Sequence, residues 1–194
     1  MPKHLLTLGE RVKKQRGETQ KIRYWCGDET RLGLQTIEGK ILTIKGVKPQ
    51  GKKQWKFDYY YLYGLVEPQT GETFYYEFSH LDTPCFETFL ERFSEVYPEE
   101  IQILQVDNAS SHTTEHLMIP QNIILLFQPP YTPEVNPIER LWKYLKSFLK
   151  WMNFEHLDQL RDVVSQTLAT FSREVIQSLT GWDFILNALS LSGI

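Results

Sequence analysis

Three acidic residues, Asp28 in YWCGDET, Asp107 in ILQVDNASSH and Glu139 in VNPIER, fall where the sequence predicts strands and helices to begin or end. In open sheets the strand ends line the ligand crevice, so two aspartates there and a glutamate in the first turn of a helix can converge. Gathered carboxylates repel one another and call for a cation, and hard oxygen ligands suit Mg²⁺ or Mn²⁺. Two such ions, ~3.5–4 Å apart, stabilise the attacking and leaving oxygens of an in-line phosphoryl displacement. Each residue also has a plainer reading. Asp28 suits a turn former, Asp107-Asn108 a helix N-cap, and Asn136, Pro137 and Glu139 a near-complete capping box. Standing together at successive element ends, the three favour the metal site over unrelated turns and caps.

The elements that must position them form a mixed pattern. After a basic lead-in over 1–20, IRYWCGD is apolar and aromatic and is expected to stop at an acidic turn, GDETR. RLGLQTI alternates with period two, and ILTIKG follows a turn at Glu38-Gly39-Lys40. WKFDYYYLYGLVEP is a long aromatic strand run ended by Pro68, with GETFYYEF returning as its hairpin partner. The texture then turns helical, because PCFETFLERFSEVY spaces Phe86, Phe89, Leu90, Phe93 and Tyr97 along one face. IQILQVD and IILLF read as buried strands, with a short helix expected over 114–119 between them. A proline-rich loop, QPPYTPEVNP, leads into the amphipathic helix IERLWKYLKSFLKW, and two further helices are expected over 156–170 and 172–189. This order predicts a mixed α/β sheet, antiparallel first and parallel later, as in the ribonuclease H-like fold.

The 194 residues suit one domain, and 41% hydrophobic with 23% charged residues excludes a disordered, collagen-like or coiled-coil chain. No apolar run approaches the ~20 residues of a membrane helix, and the N-terminus turns charged too early for a signal peptide. Two cysteines, Cys26 and Cys85, are too few for a disulfide scaffold or a zinc site. A reduced, cytoplasmic protein is expected. The net charge of −3 hides an asymmetry: residues 1–56 carry 14 Lys/Arg against five acids, and the rest 7 against 19. A basic segment on an acidic body marks a polyanion-facing surface, and a solvated basic face fits the charge equally well.

The strings DET (28–30), QVDNASSH (105–112) and QPPYTPEVNPIERLWKYLK (128–146) resemble the DDE transposases, within them the mariner-related bacterial insertion-sequence group called "six-thirty". The similarity runs over roughly residues 20–155. YTPEVNPIER is its most specific part, and 31 residues separate Asp107 from Glu139. The resemblance implies a ribonuclease H-like fold and metal-dependent cleavage and joining of DNA at transposon ends. It implies two Mg²⁺ or Mn²⁺ ions on Asp28, Asp107 and Glu139, with Asp28 as the candidate to bridge both. Asn108, His112, Asn136 and Arg140 fall in the same motifs, as supporting or DNA-contacting residues. His112 fits a structural histidine as well, and Asn136 a plain cap. Glu29 should point to the other face of its strand and is not expected to be a ligand.

One departure shapes the expected partners. Transposases of this group usually carry N-terminal helix-turn-helix modules, and the 1–20 lead-in is too short for one. The sequence therefore reads as a catalytic domain over 21–194 that works with a separate DNA-binding half, as a homodimer on paired ends, in the bacterial nucleoid. Backbone contacts to DNA are expected from Lys48, Lys52, Lys53, Lys143 and Lys146, which position DNA without reading its sequence. Trp25, Trp55, Trp142 and Trp151 suit the core better than base stacking. Two other functions compete: a nuclease that only hydrolyses, and a non-catalytic remnant that binds DNA or a partner protein. The remnant's expected mark, a lost acidic residue, is missing from the sequence.

Overall fold

The computed structural model describes residues 20–109, 112, 117–129 and 136–194. It contains strands β1 (Ile22–Gly33), β2 (Tyr59–Val66) and β3 (Thr73–Phe78), helix α1 (Thr83–Val96), then strands β4 (Ile101–Val106) and β5 (Ile123–Phe127). Helices α2 (Ile138–Phe148), α3 (Leu157–Ala169), α4 (Arg173–Thr180) and α5 (Asp183–Ser192) follow. The five strands form one sheet in the order β3-β2-β1-β4-β5. The β1–β2 and β2–β3 pairs are antiparallel, and the β1–β4 and β4–β5 pairs are parallel. This is the mixed sheet that the element order predicted, in the ribonuclease H-like arrangement that the family resemblance implied.

Alternation along β1 builds two cores. Tyr24, Cys26 and Leu32 lie in one cluster with Ile138, Leu141 and Leu145 of α2 and the inner faces of α3 to α5. Trp25 lies in the other, with Phe86, Phe89, Leu90 and Phe93 of α1. The four α1 side chains recur at helical spacing, and burying each contributes about 2 kcal/mol. Asp82 starts α1, its Oδ1 accepting from the Cys85 N–H at 2.9 Å. β4 is buried on both faces, and the side-chain oxygens of its glutamines are paired: Gln102 Oε1 accepts from Trp25 Nε1 at 2.7 Å and Gln105 Oε1 from the Tyr24 hydroxyl. At the start of β1, the buried Arg23 guanidinium grips Glu67 at 2.8 Å and lies over the rings of Trp25 and Tyr97.

Several expected boundaries move. β1 does not stop at Asp28; it continues through the supposed turn GDETR to Gly33, because β2 pairs with it from Cys26 to Gly33. That antiparallel ladder overrides the turn preference of an isolated Gly-Asp pair. RLGLQTI and ILTIKG form no strands of their own beyond the end of β1. Residues 34–58 contain only an isolated bridge between Ile37 and Lys150, and Leu42, Ile44 and Val47 are exposed, with no sheet face to cover them. The long aromatic run shortens to β2 for the same reason. The last expected helix is two, because Gly181 ends α4 and Trp182, in extended conformation, starts α5. Of the short helix expected over 114–119, residues 114–116 lie outside the described residues and 117–119 have no regular structure.

Candidate active site

β4 pairs with β1 only as far as Cys26, while β2 follows β1 to Gly33. From Gly27 onward β1 therefore has a strand on one side only. The other edge meets the chain leaving β4 and the chain entering α2. Asn136 closes part of this gap, its Nδ2 donating to the Gly27 carbonyl at 2.9 Å. That use removes Asn136 from the expected capping box: Pro137 holds the N-cap position of α2, with no side-chain cap hydrogen bond there.

Asp28 sits in mid-strand, opposite Gly64 of β2. Its Oδ2 accepts from Trp142 Nε1 at 3.0 Å. The indole reaches this place because position 64 has no side chain: a Cβ there would lie 2.4 Å from Trp142 Cη2. Burial pushes the Asp28 carboxyl up to about 7, and the charges of Glu29, Glu139 and Asp107 push the same way, against a hydrogen bond from the Glu29 backbone. Three carboxylates from separate elements thus act on Asp28.

Asp107 lies just past the end of β4 and is exposed. Its Oδ1 accepts from the N–H of Ala109, two residues on, at 3.0 Å, and the helix considered after it falls mostly on residues outside those described. The same Oδ1 is 2.9 Å from His112 Nδ1, and this contact holds the carboxyl below the usual range. His112 is buried, its ring stacked 4.1 Å from that of Phe86 on α1. Its Nε2 is 3.0 Å from Glu29 Oε1. Burial alone would lower the imidazole pKa; hydrogen bonds to Asp107 and Glu29 outweigh it and raise the pKa to about 10. Glu29 faces the α1 side, as strand alternation requires.

The remaining predicted residues take varied places. Glu139, in the first turn of α2, is exposed. Asn108 Nδ2 donates to the Gln128 carbonyl at 2.6 Å, tying the exits of β4 and β5 together. The Arg140 guanidinium lies 4.8 Å over the Trp182 ring, so it packs on α5. Lys143 is exposed, whereas Lys146 is half-buried, its ammonium pKa lowered by burial and raised by Asp28. Lys48, Lys52 and Lys53 lie exposed in the 34–58 segment, where Lys53 pairs with Glu38 at 2.5 Å. Trp25 and Trp142 belong to the cores, but Trp55 is 70% exposed, against the expectation for it. The 34–58 segment carries that indole outside both cores.

The donor chemistry fits a hard divalent cation: Asp28, Asp107 and Glu139 offer carboxylate oxygens, and their mutual repulsion is what a cation relieves. As they stand, no three His, Cys, Asp or Glu among the described residues are close enough to form a cage. The sequence reasoning missed three parts of this arrangement: the Trp142 contact to Asp28, the space made by Gly64, and the Glu29–His112 pair. A glycine inside the otherwise bulky strand YYYLYGLV was the available signal, since such a residue marks close approach of another group.

Comparison with known proteins places the fold and the family. An uncharacterised protein of Sinorhizobium fredii, y4pE/y4sA, is 28% identical over 118 residues, 60% of this chain and 86% of its own length. Solved structures of Mos1 transposase share the fold. The paired-end complex with left transposon end superposes with a TM-score of 0.68 at 15% identity, over 98% of this chain and 61% of that one. The strand transfer complex gives 0.69 at 14% identity, over 99% and 59%. The chain thus spans about three fifths of the Mos1 chains it matches. A family model described as DDE superfamily endonuclease matches residues 23–161, a stretch that takes in β1 and all three candidate carboxylates. The chain belongs to the DDE superfamily of endonucleases.

Proposed function

We propose that this chain is the catalytic domain of a transposase that cuts DNA at insertion-sequence ends and joins it to a target, using Mg²⁺ or Mn²⁺. One observation carries the reading: the Asp–Asp–Glu series within the family match comes from β1, the exit of β4 and the start of α2, and Glu139 and Asp107 both act on the Asp28 carboxyl. Mos1 paired-end complexes with Mn and with Mg support the choice of cation, and complexes with transposon ends support DNA as the substrate.

In this reading Asp28, Asp107 and Glu139 would hold the cations. Bound there, the ions supply electrophilic stabilisation of the attacking and leaving oxygens at the reacting phosphate. Trp142 fixes one Asp28 oxygen, and Asn136 fixes the β1 edge beside it. Lys146, within the field of Asp28, neutralises phosphate charge near the site, and Lys143, Lys48, Lys52 and Lys53 hold backbone phosphates further out. A separate end-recognising half and pairing of two copies complete the assembly.

Glu139→Gln tests the assignment. The amide oxygen of glutamine can still accept a hydrogen bond, but a neutral group binds a hard cation poorly. Stability measured by urea melts should stay within about 1 kcal/mol of wild type, the size of a cap effect. Mn²⁺-dependent nicking of supercoiled plasmid, with the DNA-binding half supplied, should fall to background. Activity in the Gln variant, with only a stability loss in Glu139→Ala, would reduce Glu139 to a helix-start residue and end the proposal. Nicking without strand joining by the wild-type chain would favour a hydrolytic nuclease.

A further inference from the structure

Glu29 and His112 stand 83 positions apart in sequence, yet their side chains meet at 3.0 Å with exposures of only 9% and 1%. A carboxylate and an imidazole are costly to bury singly, so their pairing demands a reason beyond packing. Glu29 lies on the α1 side of β1, where Phe86 supports the His112 ring. From there the ring turns its other nitrogen, Nδ1, to Asp107 Oδ1 at 2.9 Å. The Ala109 N–H also chooses Oδ1, at 3.0 Å. Among the described residues, no hydrogen bond goes to Oδ2.

Asp107 itself is exposed and follows the last β4 residue, so nothing in the ladder fixes its χ angles. The bridge through His112 does. It connects a carboxylate held otherwise by the Ala109 N–H to the middle of β1. We infer that Glu29 is a positioning residue: through His112 it fixes Asp107 so that Oδ1 is held by protein and Oδ2 is left for a divalent cation. The inference rests on the metal-site reading of Asp107 proposed above. Hydrogen-bond partners behind metal ligands orient them, and losing one typically costs about 10–100-fold in metal affinity.

The test is calorimetric titration of the chain with Mn²⁺, with the melting temperature of each metal-free variant measured alongside. Glu29→Ala should weaken Mn²⁺ binding about 10–100-fold. Glu29→Gln, which keeps an acceptor for His112 Nε2, should stay within about threefold of wild type. In a His112→Ala background, Glu29→Ala should change Mn²⁺ affinity no further, because the path through the ring is already cut. If Glu29→Ala does not fold, Glu29→Asp, which draws the carboxylate back by one methylene, is titrated instead with the same expectation. A purely structural role would lower the melting temperature of Glu29→Ala and leave its Mn²⁺ affinity unchanged, and that result overturns the inference. Asp107→Asn separates the two claims. If it abolishes Mn²⁺ binding while Glu29→Ala leaves it intact, only the positioning role fails; if Asp107→Asn binds Mn²⁺ normally, the metal-site reading fails with it.

Discussion

Asp28 carries the clearest residue-level consequences. Its carboxyl, raised to about 7, takes up a proton in the folded chain at pH values where the unfolded chain has already lost one. The folded state then binds more protons between about pH 4 and 7, so this group's contribution to stability falls as pH rises through that window. Asp28→Asn keeps an acceptor for Trp142 and removes the charge. Without metal, it should match wild type near pH 4 and exceed it at pH 8 by up to about 4 kcal/mol, as read from urea melts in EDTA. Added Mn²⁺ at pH 8 should reverse the order, because only wild type offers an ionised Asp28 to the cation. Equal stabilities at both pH values would show that Asp28 is an ordinary solvated carboxylate. The three acidic positions could be proposed from the sequence because the chemistry they would do restricts them to few residue types. Their supports were not: the Trp142–Asp28 contact joins residues 114 positions apart and leaves no local pattern.

Elements were legible where the signals are local. A run of phenylalanines at helical spacing gives α1, and the aromatic string before Pro68 gives β2. Where pairing partners are distant, the sequence misleads: GDETR has the composition of a turn, yet β2 draws it into a straight ladder, and ILTIKG has strand composition but no strand beside it. The β2–α2 contact makes an element-level prediction. At Gly64 an added methyl group would meet Trp142 Cη2 at 2.4 Å and Cζ2 at 2.8 Å, with the Tyr75 ring at 3.1 Å. Gly64→Ala should therefore push α2 away from the sheet and cost about 1–3 kcal/mol, typical of overpacking. Trp142→Phe in that background should recover part of the loss, since the smaller ring vacates the contested space. Recovery measured by thermal melts would locate the strain between these two residues; no recovery would place it at Tyr75.

For the whole molecule, the polarity of charge matters more than its net value. The Lys48, Lys52 and Lys53 side chains are exposed and belong to neither core, so their replacement leaves the packing untouched. The triple Lys→Glu variant should melt like wild type but bind duplex DNA more weakly. Its slope of log affinity against log salt should be shallower by roughly 0.9 for each phosphate that the variant no longer neutralises. An unchanged slope would move the DNA path elsewhere. The twelve-residue β1 has a further consequence, in the order of assembly. Its partners arrive from far along the chain, β2 after a 25-residue connection and β4 only after α1. β2 and β3, joined through the six residues 67–72, have the shortest closure to make. Chain-closure entropy favours that hairpin as an early structure and delays the parallel β1–β4 ladder. The carboxylates at 28, 107 and 139 act on one another only when that ladder and α2 are both in place. If they hold a divalent cation, as proposed above, it would have nothing to grip in a partly folded chain: it should slow unfolding while leaving the refolding rate almost unchanged.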